Sequence, residues 1–287
     1  MKKIDTPAPD IQNPTLTPSP VSDFVLPGLA AGTVGILARD NMIIAGMLEF
    51  QLCAQISGGP VLFPTDEPAI EPARSGFLLD DGLIEDFLGD SVHPLLSLVS
   101  LQQRDILLDN FGLNYTEPLE LMDDPLNDKE WLDSIRDAAS SMRLMIIDTS
   151  YRFYKLQKTP EEMQALYDGV INIAAESNCA IILTTYVSSY RKESHISKLF
   201  RAASWEAGLE EMHDPACTGG EAYGSARYFR LHIFRNDNSP EIEPFWLMKK
   251  PISTGFAHPV LHLIERSQIP ASFVIHDNTL SSSLRPE

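Results

Sequence analysis

Apolar and polar positions recur along this chain with two periods, and the switch between them marks its elements. Residues 35–50 read GILARDNMIIAGMLEF. Gly35-Ile36-Leu37-Ala38 is a short apolar run that predicts a buried strand. After a break, Leu48, Leu52, Cys53 and Ile56 fall on one face of an amphipathic helix, which Gly58-Gly59-Pro60 closes. The same reading along the chain predicts strands over 33–38, 75–79, 106–109, 144–147 and 180–185. It predicts helices over 46–57, 83–88, 128–140 and 160–177. Pro160 suits a first helical turn, and Glu161 and Glu162 complement the helix dipole there. Alternating strands and helices imply a mainly parallel sheet covered on both faces. The last third changes character: 228–234 and 245–248 read as an antiparallel pair, and His276 closes a further strand that starts at Ser272. The sequence has no internal repeat.

Composition sets the frame. A length of 287 residues suits one generous α/β domain or two small ones, and 44% hydrophobic content supports a substantial core. Residues 1–22 hold five prolines among Thr, Asn and Ser without apolar periodicity, which predicts a flexible arm. The body then spans 23–276, and 277–287 is a similar tail. Two lysines near the N-terminus are followed by no apolar h-region, and no apolar run reaches the ~18 residues of a membrane span. Three scattered cysteines (Cys53, Cys179 and Cys217) suit reduced thiols, the first two in apolar patterns, so the expected compartment is the cytoplasm. The formal charge of −18 opposes phosphate backbones and nucleotides unless a local basic patch overrides it.

Strand, turn and helix at 33–57 have the layout of a phosphate-binding turn without its chemistry. The turn reads Arg39-Asp40-Asn41-Met42-Ile43-Ile44-Ala45-Gly46. A second signal is RLMIIDTSYRFY (143–154), which sets Asp148 at the C-terminal lip of a central strand, where ligands bind in open α/β sheets. An aspartate there orients magnesium in nucleotide-hydrolysing proteins, although many α/β strands end in Asp with no metal nearby.

Four blocks in order carry a resemblance: DFVLPGLAAGTVGIL (23–37), MLEFQLCAQISGGP (47–60), EWLDSIRDAASSMRLMIIDTSYRFY (130–154) and IAAESNCAIIL (173–183). Together they resemble the RepA-type hexameric replicative helicases of plasmids, over roughly 23–250. The resemblance implies an α/β, RecA-like P-loop NTPase fold with an antiparallel C-terminal extension. It also makes the departures legible. The family's P-loop lysine falls on Ala45, its magnesium-binding Ser or Thr on Gly46, and its loop glycines on Asn41, Met42 and Ile44. Loop glycines let backbone N–H groups cradle phosphates and the lysine neutralises them. Asp40 adds a like charge beside the phosphate position. The family's catalytic glutamate falls near Leu79, with Asp80 or Asp81 as shorter substitutes. Its histidines fall on Thr185 and Tyr186. Its helix with the trans-acting arginine resembles ASWEAGLEEMHD (203–214), where Glu210 or Glu211 lies nearest by count. Asp148 alone clearly matches. The expected result is a degenerate site with no catalytic set, no cofactor and no metal, the alternative being weak magnesium at Asp148.

SSYRKESHISKLFR (188–201) carries Arg191, Lys192, Lys198 and Arg201 with Tyr190 and Phe200. In the resembling family this segment faces a central channel and DNA, and basic residues interleaved with aromatics suit a weakly held single strand. A solvated loop is the plain alternative. His258 and His262 lack a third ligand, and His213 with Cys217 lacks an oxyanion hole. Three functions follow. The first is an inactive RecA-like subunit, paired with itself or with a RecA-like partner in replication or maintenance of a mobile element. The second is an enzyme with a rebuilt pocket at Asp148, and the third an acidic regulator of a replication factor.

Overall fold

Period-2 burial along the central strands sorts the core into two layers. The computed structural model describes residues 23–39, 42–63, 71–79, 92–115, 128–148, 159–186, 203–213, 226–236, 241–249 and 260–275. Five parallel strands form the centre: β3 (Val34–Arg39), β4 (Ser75–Leu79), β5 (Phe111–Tyr115), β6 (Leu144–Asp148) and β7 (Ala180–Tyr186). Before them, β1 (Phe24–Leu26) and β2 (Leu29–Ala30) make a small antiparallel hairpin. After them come β8 (Trp205–His213), β9 (Arg227–Asn236), β10 (Phe245–Lys249), β11 (Leu261–Ile264) and the short β12 (Val274–Ile275). The large sheet runs β11-β10-β9-β8-β3-β7-β6-β4-β5, with β12 beside β8. It is parallel from β8 to β5 and antiparallel from β8 to β11.

Helix α1 (Met42–Ile56) covers one face; α4 (Asp128–Ala139) and α5 (Pro160–Ser177) cover the other. Leu37, Leu144, Ile146, Ala180 and Ile182 pack in one cluster with Leu48, Leu52, Cys53 and Ile56 of α1. Their neighbours Ile36, Ala38, Met145, Ile147, Ile181 and Leu183 pack with Trp131, Ile135, Leu166, Tyr167 and Val170. The two pleats of the same strands are therefore covered by different helices, α1 on one side and α4 with α5 on the other. Two short helices, α2 (His93–Leu96) and α3 (Leu101–Asn110), lead into β5.

Capping fixes α5 where the sequence predicted it. Thr159 accepts from the Glu162 N–H at 3.2 Å, the Glu162 carboxylate accepts from the Thr159 N–H at 2.7 Å, and Pro160 opens the first turn. Asn178 closes the helix in the left-handed region at φ 53°.

The fold corrects four expectations. Helix α1 starts at Met42, earlier than the expected residue 46. It is also buried on all sides from Gly46 to Ala54 rather than on one face, because Phe229, Leu231, Leu247 and Leu261 of the C-terminal strands share its cluster. The Gln51 side chain locks that cover: its Nε2 donates to the Leu261 carbonyl and its Oε1 accepts from the Leu261 N–H, both at 2.9 Å. Residues 106–109 belong to helix α3 and not to a strand, since Ser100 and Gln103 form a capping box ahead of the Ile106-Leu107-Leu108 run; the strand follows as β5. Residues 205–213 of the block resembling an arginine-bearing helix are strand β8, with Trp205, Ala207 and Leu209 alternating into the α1 cluster. The expected closing strand is β12, and His276 lies outside the described residues. So do the helix expected at 83–88, the arm 1–22 and the tail 277–287.

Candidate functional site

Two strand ends and one helix converge at the C-terminal lip of the sheet. Arg39 is the last residue of β3 and Asp148 the last of β6, with β7 between them. Period 2 sends Arg39 to the side of Leu37 and Asp148 to the side of Ile146, the face that α1 covers. Thr184, opposite Asp148 on β7, shares that face with Ile182. Glu49 enters from α1. Arg39 Nη2 donates to Asp148 Oδ2 at 2.8 Å, and Arg39 Nη1 donates to Glu49 Oε1 at 2.9 Å. The three residues are 3%, 5% and 0% exposed, in the order Arg39, Asp148, Glu49.

One cation thus serves two buried carboxylates. A buried pair is held together by charge-assisted hydrogen bonds that offset a large desolvation cost. Among the described residues Arg39 is the cation that Glu49 pairs with, and Glu49 Oε2 is buried without a hydrogen-bond partner. Burial pushes the Glu49 carboxyl up to about 7; Arg39 pulls it down and the Asp148 charge pushes it further up. Near neutral pH the buried Glu49 carboxyl is about half protonated, beside the Arg39–Asp148 salt bridge.

Strand β3 ends at Arg39 and α1 begins at Met42; Asp40 and Asn41 lie outside the described residues. Met42, Ile44 and Ala45 belong to the first turn of α1, and Gly46 is buried within it. Leu79 ends β4, and Asp80 and Asp81 lie outside the described residues. Thr185 is buried in β7 and Tyr186 ends that strand. Glu210 and Glu211 are held on β8 by arginines of β9: Arg230 Nε donates to Glu210 Oε2 at 2.8 Å, and Arg227 forks onto Glu211. Arg191, Lys192, Lys198 and Arg201 lie outside the described residues, as do Cys217 and His258. His213 ends β8, and His262 on β11 sits opposite Met248. Cys53 and Cys179 are buried thiols; burial pushes both up, Cys179 to about 12.

Sequence reasoning missed Arg39 and Glu49 as site residues. Their signal was present as charges at positions where the pattern demands apolar side chains. Arg39 is the next inward position of β3 after Leu37, and Glu49 is flanked by Leu48 and Phe50 in a helix buried all round.

No family model matches this chain. Among solved structures it is similar to the crystal structure of the RadB recombinase, at 14% identity and a TM-score of 0.50. The match covers 83% of this chain and 93% of that one. That likeness and the sheet order define the class: an α/β protein of RecA-like fold, with a mainly parallel sheet and an antiparallel C-terminal extension. No described helix is long and apolar enough to cross a membrane.

Proposed function

We propose that this chain is a RecA-like subunit that neither binds nor hydrolyses ATP, and that it serves assembly or regulation in the replication or maintenance of a mobile element. The observation that carries the first half is the Arg39 guanidinium on Asp148. The described residues at the lip do not fit a magnesium–nucleotide group. A cation already occupies the one carboxylate that would receive the metal, and Ala45 stands where the lysine belongs. The first turn of α1 replaces the loop whose backbone would cradle phosphates. Among the described residues no group of three His, Cys, Asp or Glu side chains could hold a metal ion. No step of catalysis is assigned to this lip.

The second half rests on the resemblance of the four blocks to RepA-type helicases. A subunit of this kind keeps the fold as an assembly element, either in a self-oligomer or beside an active RecA-like partner. The basic segment with Arg191, Lys192, Lys198 and Arg201 is assigned weak contact with single-stranded DNA; four phosphate contacts give a log–log salt slope of roughly −3. Affinity purification from the native host tests the subunit reading. The expected companion is a RecA-like ATPase or more of this chain, held at physiological salt. Recovery of the chain as a monomer without either would contradict it.

A further inference from the structure

Helix α3 carries leucines on two opposite faces, and only one of them is used. Leu107 is fully buried, and the half-buried Ile106 and Asn110 mark the side that faces the molecule. Leu101 and Leu108, seven residues apart, share the other side and are 78% and 47% exposed. Leu98, just before the helix, is 57% exposed and extends the strip. The exposure of Leu101 is fixed by local structure, because the Ser100 hydroxyl accepts from the Gln103 N–H at 3.3 Å and sets the first turn at Leu101. Between the leucines stand Arg104 and Asp105, both exposed and without an ion-pair partner among the described residues.

The order of these side chains is self-complementary. In an antiparallel pair of α3 helices about a two-fold axis between Arg104 and Asp105, Leu101 faces Leu108 of the second copy. Arg104 then faces Asp105 of the second copy, and both contacts occur twice. A parallel pair would set Arg104 against Arg104. We infer that α3 is a docking surface for a second copy of this chain, through an isologous antiparallel helix pair. Ten residues give a helix of about 15 Å, so the contact is smaller than the ~800 Å² per partner of a standard interface. It is a weak self-association, since so short a helix pair buries less than a stable dimer needs.

Sedimentation velocity of the full chain, from about 1 to 300 µM, tests this. The expected result is a concentration-dependent monomer–dimer shift. Leu101→Glu with Leu108→Glu weakens it about hundredfold, with unchanged circular dichroism. Arg104→Asp also weakens it, and adding Asp105→Arg restores it. A monomer throughout, or undiminished association in the double-glutamate variant, would overturn the inference. Should that variant fail to fold, disulfide trapping decides. Chains with Leu101→Cys and chains with Leu108→Cys, each with Cys217→Ser, are mixed and oxidised. A 101–108 disulfide that outnumbers the 101–101 and 108–108 products supports the two-fold pair, and the reverse overturns it.

Discussion

Glu49 shares the Arg39 guanidinium with Asp148 in a space that water does not reach. With its carboxyl raised from 4.5 to about 7, folding takes up a proton between those values. The sign follows: the stabilisation is full below pH 4.5 and is lost as pH rises through 7. Two and a half units correspond to about 3 kcal/mol, so urea unfolding of the wild type should show lower stability at pH 8 than at pH 5.5. Glu49→Gln should flatten that slope and leave the protein no less stable at pH 8. Identical pH profiles for the two proteins would remove Glu49 from the account. Arg39 is the other lever. Arg39→Leu leaves two carboxylates buried without their cation and should cost about 3–5 kcal/mol at pH 8. Combining it with Glu49→Leu and Asp148→Leu should recover most of that loss, since an apolar replacement of a buried ion cluster is often neutral. A triple variant no more stable than the single one would mean that the cluster holds the lip in place by more than charge balance.

At the scale of elements, the parts read correctly in the sequence are those where one period dominates. Strands β3, β4, β6 and β7 are apolar on both pleats because both faces are covered, and α4 and α5 each have a single apolar stripe. Reading failed where a second layer or a cap decided the outcome. Helix α1 looked one-sided because nothing local announces that side chains of β9, β10 and β11 join its cluster. The Ile106-Leu107-Leu108 run looked like a strand until Ser100 and Gln103 are seen to start a helix before it. Asp148 was legible as a lip residue, but its link to Arg39 spans 109 positions and reaches across β7, which lies between β3 and β6. Glycines carry similar long-range information. A Cβ on Gly35 would lie 2.6 Å from Cε3 of Trp205, whose Nε1 donates to the Pro27 carbonyl at 3.0 Å and ties the β1–β2 hairpin to the sheet. Gly35→Ala should therefore destabilise by about 1–3 kcal/mol in urea unfolding. An unchanged midpoint would show that the indole shifts freely and does not fix the hairpin.

For the whole molecule, fold and charge point in different directions. The RecA-like sheet order presents a lip at which such folds receive ligands, while the whole chain carries a formal charge of −18 and a buried ion cluster stands at that lip. A nucleotide would have to approach an acidic molecule and would meet Ala45 in place of a lysine, with Asp148, the lip carboxylate among the described residues, already on Arg39. Residues 42–45 are the first turn of α1. Screening over about 8 Å at physiological salt hides most of the distant charge, so the local cluster decides the outcome. Isothermal calorimetry with ATP and magnesium, on the full chain at neutral pH, reads this directly. No binding heat is expected across the millimolar range. A saturable one-to-one isotherm with a dissociation constant in the low micromolar range would contradict it.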